Sequence, residues 1–387
     1  MNTFSSGTTI IFMLYGIFLI AAISFSFLIN SLLLKFSMSL GSRSERHRHI
    51  IRWSSTLKPS LGGFSFYILF LISIATFGFF TDGSQEYLSS QLFGTLLAVN
   101  LGFLLGLTDD AYNTIPALKF FAQLSCGLLL VVTNNVIPAT GIYAADAAIT
   151  LIWVVGIMNS INMLDNMDGI SGIVSLFILV SCMLVLCVEH TFFSIYTMMM
   201  LGVAGALIGF LAHNIHPSRI YMGDTGSQLL GAFIAATSIH ILWKYHAPVG
   251  SIIQLKQFLI PLIAFLVPII DTSTVVIHRI ARGQSPFIGG KDHITHHFVY
   301  AGLNDKQVMY LIGGFSAISA FMTGTMVYYY DQLTISMVIA GYTYFLTAFL
   351  VTQYFYEVGK RKELRQSKSK SLRPSTITTP AHKSVPA

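Results

Sequence analysis

A chain of 387 residues is long enough for two or three soluble domains, but 54% of it is apolar, only 10% is charged and its mean hydropathy is +0.69. A soluble chain needs about 25% charged residues to cover its surface, so most of this one faces a bilayer, and an ordinary cytosolic enzyme is excluded. Cys126, Cys182 and Cys187 all lie in apolar runs, which gives no disulfide framework, and the formal net charge of +6 takes its meaning from where the cations sit.

Uncharged apolar runs of roughly 17 to 25 residues mark membrane-spanning helices. They predict helices near 9–34, 61–81, 92–108, 119–139, 147–164 and 170–188, then near 192–212, 226–243, 257–277, 307–330 and 333–356, eleven in all. The first run is too long for a secretory signal and MNTFSSGTT lacks a basic n-region, so it reads as an anchor. Numbering the connections puts 20 of the 22 Lys and Arg on the odd loops and C-terminal tail, against Lys244 and Lys256 on the other side. The positive-inside bias then predicts a cytoplasmic tail and an N-terminus outside. The expected architecture is an all-α, polytopic integral membrane protein with a transmembrane domain over 1–358 and a disordered basic tail over 359–387. The charge resolves into +9 inside and −3 outside, which reports topology and an anionic substrate rather than nucleic acid.

Carboxylates at membrane helix ends are costly unless they do something. Asp82, Glu86, Asp146, Glu189 and Asp331 are scattered over the outside loops and read as solvated surface residues. The inside acids are grouped instead: LTDDAYN at 107–113, NMLDNMDG at 162–169, YMGDTGS at 221–227, Asp271, and KDHITHH at 291–297. Adjacent Asp109 and Asp110 could supply a general base or simply end a helix, and Lys119 could counter their charge or grip a phosphate. Asp165 and Asp168, spaced by three, would share one face of a helical turn, with Asn162 and Asn166 adding amides suited to a metal, a polyol or a base edge. Asp224, in a glycine-flanked turn, suits Mg²⁺ held by one carboxylate plus substrate phosphates, or a helix cap. His293, His296 and His297 could contact a pyrophosphate with Lys291, bind a metal, or form structural hydrogen bonds; the absence of cysteine ligands counts against zinc. Asp271 interrupts the ninth run and could hold the following loop, while Lys58 in KPSLGG could bind an anion or snorkel to the interface. A proton-coupled transporter would place polar groups at the bilayer midplane and show internal repeats; the acids here gather at helix ends and no repeat is evident.

KPSLGG, LTDDAYN, Lys119, NMLDNMDG, YMGDTGSQLLG, Asp271 and RGQSPFIGGKDHITHHFVYAGL stand in an order, over roughly residues 55–305, that resembles the polyprenyl-phosphate N-acetylhexosamine-1-phosphate transferases. That superfamily includes the initiators of O-antigen and teichoic-acid chains and phospho-MurNAc-pentapeptide translocase. The resemblance implies transfer of a sugar 1-phosphate from a UDP-sugar to undecaprenyl phosphate with release of UMP, at the cytoplasmic face of a bacterial inner membrane. It implies Mg²⁺, or Mn²⁺ in its place, at Asp224, and a catalytic role for Asp109 and Asp110 at the lipid phosphate or the metal. By the same resemblance Asn162, Asp165 and Asp168 contact the nucleoside, Tyr221 stacks on uracil, Asn214 in FLAHNIHP lies beside the sugar, and Lys58, Lys119, His293, His296 and His297 bind phosphates. The spaced histidines of KDHITHH resemble the O-antigen type more than the peptidoglycan type, which favours UDP-GlcNAc over UDP-MurNAc-pentapeptide. A homodimer is left open.

Overall fold

The computed structural model describes residues 6–39, 58–80, 89–245, 255–285, 290 and 292–371. Arg43, Arg46, Arg48, Arg52, Asp82, Glu86, Lys291 and the tail beyond Ser371 lie outside the described residues. The helices are α1 (Ser6–Ser39), α2 (Gly63–Phe80), α3 (Ser90–Tyr112), α4 (Pro116–Val132), α5 (Tyr143–Leu164), α6 (Ile170–Val188) and α7 (Ile195–Asn214). They are followed by α8 (Gly223–Ser238, extended by a π turn over Ile239–Trp243), α9 (Leu255–Ala264), α10 (Leu266–Ala281), α11 (Ile294–Ala301), α12 (Asp305–Tyr328) and α13 (Ile335–Ser371). Among the described residues the one β-type contact is an isolated parallel bridge between Ser60 and Tyr221.

The protein is therefore a polytopic, all-helical membrane protein. Eight of the described helices are long and apolar enough to cross a bilayer, a bent pair would make a ninth, and α2 and α4 are apolar but shorter. Each predicted apolar run coincides with a helix or with that pair. Local chemistry sets several boundaries. Ser89 and Ser194 accept N–H bonds at the starts of α3 and α7, Asn304 and Gln307 form a capping box on α12, and Pro116 opens α4 where its missing N–H costs nothing.

α7 and α8 form the centre, with 89% and 94% of their spanning windows buried, against 17% for α1 and 22% for α13. Gly205 and Gly209 let α1 lie directly on α7: a Cβ at either would come within 2.7 Å of Ala22 Cβ or 2.5 Å of Ile23 O.

Two expectations need correction. The ninth run is not one straight helix, because α9 and α10 meet at 86°. Pro268 has no N–H to give the carbonyl of Ala264, and its own carbonyl instead accepts from Ser160 Oγ at 2.9 Å, with Thr272 Oγ1 donating to Ser160 Oγ at 2.8 Å. The bend leaves an apolar groove of about 650 Å³ lined by Trp153, Ile157, Trp243, Phe258, Leu262 and Ile269. The tail, expected to be disordered from 359, stays helical to Ser371. KRKELRQSK is made almost wholly of good helix formers, and a helix already anchored in its span extends without a new nucleation step.

Candidate active site

The end of α3, the start of α4, the end of α5 and the start of α8 meet at one end of the bundle. α8 begins without a cap of its own, and Asp110 supplies one from α3. Its Oδ1 accepts from the Asp224 N–H at 3.0 Å, and its Oδ2 accepts from the Thr225 N–H at 2.8 Å and the Thr225 hydroxyl at 2.6 Å. Gly223 makes this approach feasible: its φ is +73°, and a Cβ there would lie 2.7 Å from Asp110 Oδ2. Neither a general base nor the end of its own helix describes this geometry: Asp110 caps a different helix.

Asp109 is placed differently. Its Oδ1 accepts from the Thr114 N–H and hydroxyl, each at 2.8 Å, and fastens the turn after α3, while Oδ2 pairs with the Lys119 ammonium. Lys119 Nζ also lies 3.8 Å from Asp224 Oδ2, so the ammonium stands between two carboxylates from different helices. Asn162 donates to Asp224 Oδ1 at 2.5 Å and to Ser227 Oγ at 2.8 Å.

One turn deeper, Gln123, Asn159 and Gln228 repeat the arrangement with neutral amides. Gln123 Nε2 donates to Asn159 Oδ1 and Gln228 Oε1, each at 3.2 Å, and Asn159 Nδ2 returns a bond to Gln123 Oε1 at 2.7 Å. These residues follow Lys119, precede Asn162 and follow Asp224 by about one helical turn, so the amide layer holds α4, α5 and α8 in register beneath the charged one.

Among the described residues no three His, Cys, Asp or Glu side chains converge to hold an ion by themselves. The Asp109–Asp224 pair still fits Mg²⁺ chemically: both are hard oxygen donors, and a cation, the Lys119 ammonium, already sits between them. Mg²⁺ commonly takes one or two carboxylates and completes its shell with water and substrate phosphates.

The KPSLGG segment owes its glycines to backbone pairing. Gly62 and Gly63 donate their N–H groups to the carbonyls of Tyr221 and Met222, each at 3.0 Å, and Tyr221 donates to Pro59 O at 2.9 Å. A Cβ on Gly63 would meet the Gly226 backbone at 2.3 Å. The pairing brings Lys58 Nζ to 5.1 Å from the Tyr221 ring centroid, 2.9 Å from Ser218 Oγ and 3.6 Å from Asp168 Oδ1. Lys58 is thus engaged in the site rather than snorkelling.

Asp168 does not share a helical face with Asp165, as their spacing predicted; Asp165 ends α5 and Asp168 stands in the turn before α6, where Gly169 adopts φ +78°. Ser218 donates to Asp168 through its N–H at 3.0 Å and its hydroxyl at 2.7 Å, and His216 Nδ1 lies 3.0 Å away. Burial alone would raise the Asp168 carboxyl, but the two Ser218 bonds, the Lys58 charge and His216 outweigh it and hold the group below the usual carboxylate range. Asn214 is 2% exposed: its oxygen accepts from the Gly169 N–H at 3.0 Å and its amide donates to Ile220 O at 2.8 Å. Both ends of that amide thus tie the turn to the Tyr221 loop.

Asp271, fully buried, accepts from the Ile294 N–H at 2.9 Å and contacts His293 Nδ1 at 2.8 Å, so it caps α11 and orients its first histidine. Holding the loop after α10, the role its position suggested, is what it does. The three histidines do not point to one centre. The rings of His293 and His296 are edge-to-face at 5.5 Å, whereas His297 packs on Tyr356 at 3.8 Å on the other side of α11. Burial lowers the His297 imidazole to about 4, so it is neutral at pH 7 and suits packing rather than phosphate binding. Because the unfolded chain binds a proton near 6.5 that the fold refuses, stability is complete above pH 6.5 and falls as pH drops toward about 4. The loss is ~3 kcal/mol. Thermal unfolding of His297→Phe between pH 7 and 4 is expected to show a shallower acid decline than the wild-type chain; parallel declines would refute this.

Residues 92–242, which contain the acid cluster and the amide layer, match the profile of glycosyl transferase family 4. Over that stretch the chain is similar to glycosyl transferase family 4. It is 27% identical over 278 residues to a probable undecaprenyl-phosphate N-acetylglucosaminyl 1-phosphate transferase of Bacillus subtilis, covering 69% of this chain and 73% of that one. A decaprenyl-phosphate N-acetylglucosaminephosphotransferase of Mycolicibacterium smegmatis is 31% identical over 131 residues, 33% of this chain and 32% of its own. A phospho-N-acetylmuramoyl-pentapeptide-transferase of Halalkalibacterium halodurans is 34% identical over 111 residues, 28% and 29% of the two chains.

Several residues of this site escaped the motif reading: Thr225, Ser218, His216, Gln123, Asn159 and Gln228. Gln123 and Gln228 carried a legible signal, since an amide in an apolar span needs a partner. Ser218 and His216 carried none, because their partner, Asp168, is 50 and 48 residues away.

Proposed function

We propose that this protein transfers the sugar 1-phosphate of a UDP-N-acetylhexosamine, UDP-GlcNAc by preference, to undecaprenyl phosphate, and so starts a cell-envelope polysaccharide at the cytoplasmic face of the bacterial inner membrane. A lipid phosphate oxygen attacks the sugar-bearing phosphorus, the bond to the bridging oxygen breaks, and UMP leaves. The observation that carries this reading is the Asp109–Lys119–Asp224 cluster at helix ends. The apolar groove along α5 and α10 is of a size and lining to take part of a prenyl chain.

Phosphoryl transfer asks for positioning and charge neutralisation more than for covalent chemistry. Lys119, kept in place by Asp109, neutralises phosphate charge, and the α8 N-terminus adds its positive dipole. Mg²⁺, which Asp224 and Asp109 would hold, would supply positive charge to the diphosphate as it reacts. Tyr221, gripped by Lys58, would offer a ring face to uracil, and His293, held through Nδ1 by Asp271, would use Nε2 for a phosphate. An ionised lipid phosphate is already a nucleophile, which favours direct attack over an aspartyl-phosphate.

The test is a donor screen with purified protein, Mg²⁺ and undecaprenyl phosphate, scored by UMP release from UDP-GlcNAc, UDP-GalNAc, a UDP-diamino sugar and UDP-MurNAc-pentapeptide. Release with UDP-GlcNAc is expected. Release only from UDP-MurNAc-pentapeptide would move the protein to peptidoglycan synthesis, and no UMP from any donor would falsify the assignment.

A further inference from the structure

α11 is an eight-residue helix, too short to be stable alone, and it carries His293 and His296 at the edge of the site. One side is fixed by the Asp271 contacts and by Thr295 Oγ1 donating to Asn166 Oδ1 at 2.9 Å. The other side rests on α13, which lies outside the stretch matched by the family profile.

Four α13 residues, spaced three apart over 353–362, make that support. Gln353 donates to Thr274 Oγ1 at 2.5 Å and meets His278 Nε2 at 3.1 Å, which ties α13 to α10. Tyr356, 1% exposed, lies between two imidazoles: His278 stacks on it at 4.0 Å and 11°, and His297 at 3.8 Å and 41°. Gly359 touches the α11 backbone so closely that a Cβ would fall 2.4 Å from His297 O. Lys362 Nζ donates to Ala301 O at 2.6 Å, on a carbonyl of the last turn of α11.

We propose that residues 353–362 of α13 are a strut that sets the position of α11, and that Tyr356 and Gly359 are positioning residues for the transfer reaction. The proposal rests on the reading of His293 as a group of that reaction. A span that only anchored the chain would need neither a glycine at 359 nor an aromatic ring sandwiched by histidines at 356. Displacing the strut moves His293 relative to Asp271 without touching Asp109, Lys119 or Asp224.

The test uses the full-length protein in detergent, comparing the wild-type chain with Tyr356→Ala, Gly359→Ala and Tyr356→Phe. Tyr356→Ala and Gly359→Ala are expected to lower kcat by about tenfold or more, since displacements near 1 Å reach that size. KM for the UDP-sugar is expected to change less than kcat, and Tyr356→Phe, which keeps the ring, to restore the rate. Hydrogen exchange of the α11 amides gives a readout independent of any donor: it should quicken in Tyr356→Ala and Gly359→Ala, stay slow in Tyr356→Phe, and be unaltered in α7 and α8. Wild-type kcat in both disruptive variants, or unchanged α11 exchange in both, overturns the strut. If Tyr356→Ala does not fold, the milder Gly359→Ala decides. Should the wild-type chain release no UMP from any donor, the functional reading falls, and the exchange data still decide whether α13 holds α11.

Discussion

Asp224→Ala is expected to lower kcat by about 10³-fold, the upper range for loss of one preorganised electrostatic group, while the protein still folds and inserts. The separation of the two effects follows from how α8 begins. Asp110 caps that helix through the backbone N–H groups of residues 224 and 225, which the substitution leaves in place. What disappears is the carboxylate that accepts from Asn162 at 2.5 Å and stands 3.8 Å from Lys119. UMP release as a function of Mg²⁺ concentration, with thermal unfolding as the folding control, measures both. An Asp224→Ala protein with full activity and unchanged Mg²⁺ response would remove this residue from the metal assignment. The matching substitution at Asp110 should behave in the opposite sense, with loss of stability leading and loss of rate following from it.

Lys119→Met is expected to be nearly as damaging, and for a different reason. The Asp109 side chain is 2% exposed, and Lys119 is the cation paired with its Oδ2. Removing the partner leaves a buried carboxylate without compensation, a loss of about 3–5 kcal/mol in buried pairs. Activity is expected to fall too, because the ammonium proposed to neutralise phosphate charge is gone. Asp109→Asn in the Lys119→Met background should recover stability but not turnover, since it removes the stranded charge without replacing the cation. Thermal unfolding and UMP release across the two single variants and the double variant test this; additive stability losses would show that the two groups do not depend on each other.

The comparison of acids shows where motif reading reached its limit. Asp109 and Asp110 are adjacent in LTDDAYN and equivalent as a motif, yet successive positions on a helix point about 100° apart, so one faces Lys119 and the other faces α8. The histidines divide for another reason: His293 is the extended residue before α11, so the shared i, i+4 face does not form, and it meets Asp271 while His297 meets Tyr356. Asp165 and Asp168 were spaced for a shared helical face, but α5 ends at Leu164 and a turn carries both residues. Residue type at a helix end could be read one-dimensionally; the direction of each side chain could not.

Fold class and the positions of the helices followed from the sequence alone, because a bilayer imposes one dominant requirement, a long apolar run with its backbone bonds satisfied internally, and that requirement is written locally. Scarcity of charge at 10% was sufficient to identify the solvent, and the clustering of the remaining acids identified the motif segments. Tertiary structure decided everything that depends on contacts between distant segments: which acid caps α8, that Lys58 grips Asp168 across 110 residues of chain, that the ninth run bends by 86°, and that α13 supports α11. The reason is physical. In a bundle whose exterior must be apolar, the polar side chains that join distant segments find their partners on other helices, so those partners are set by packing.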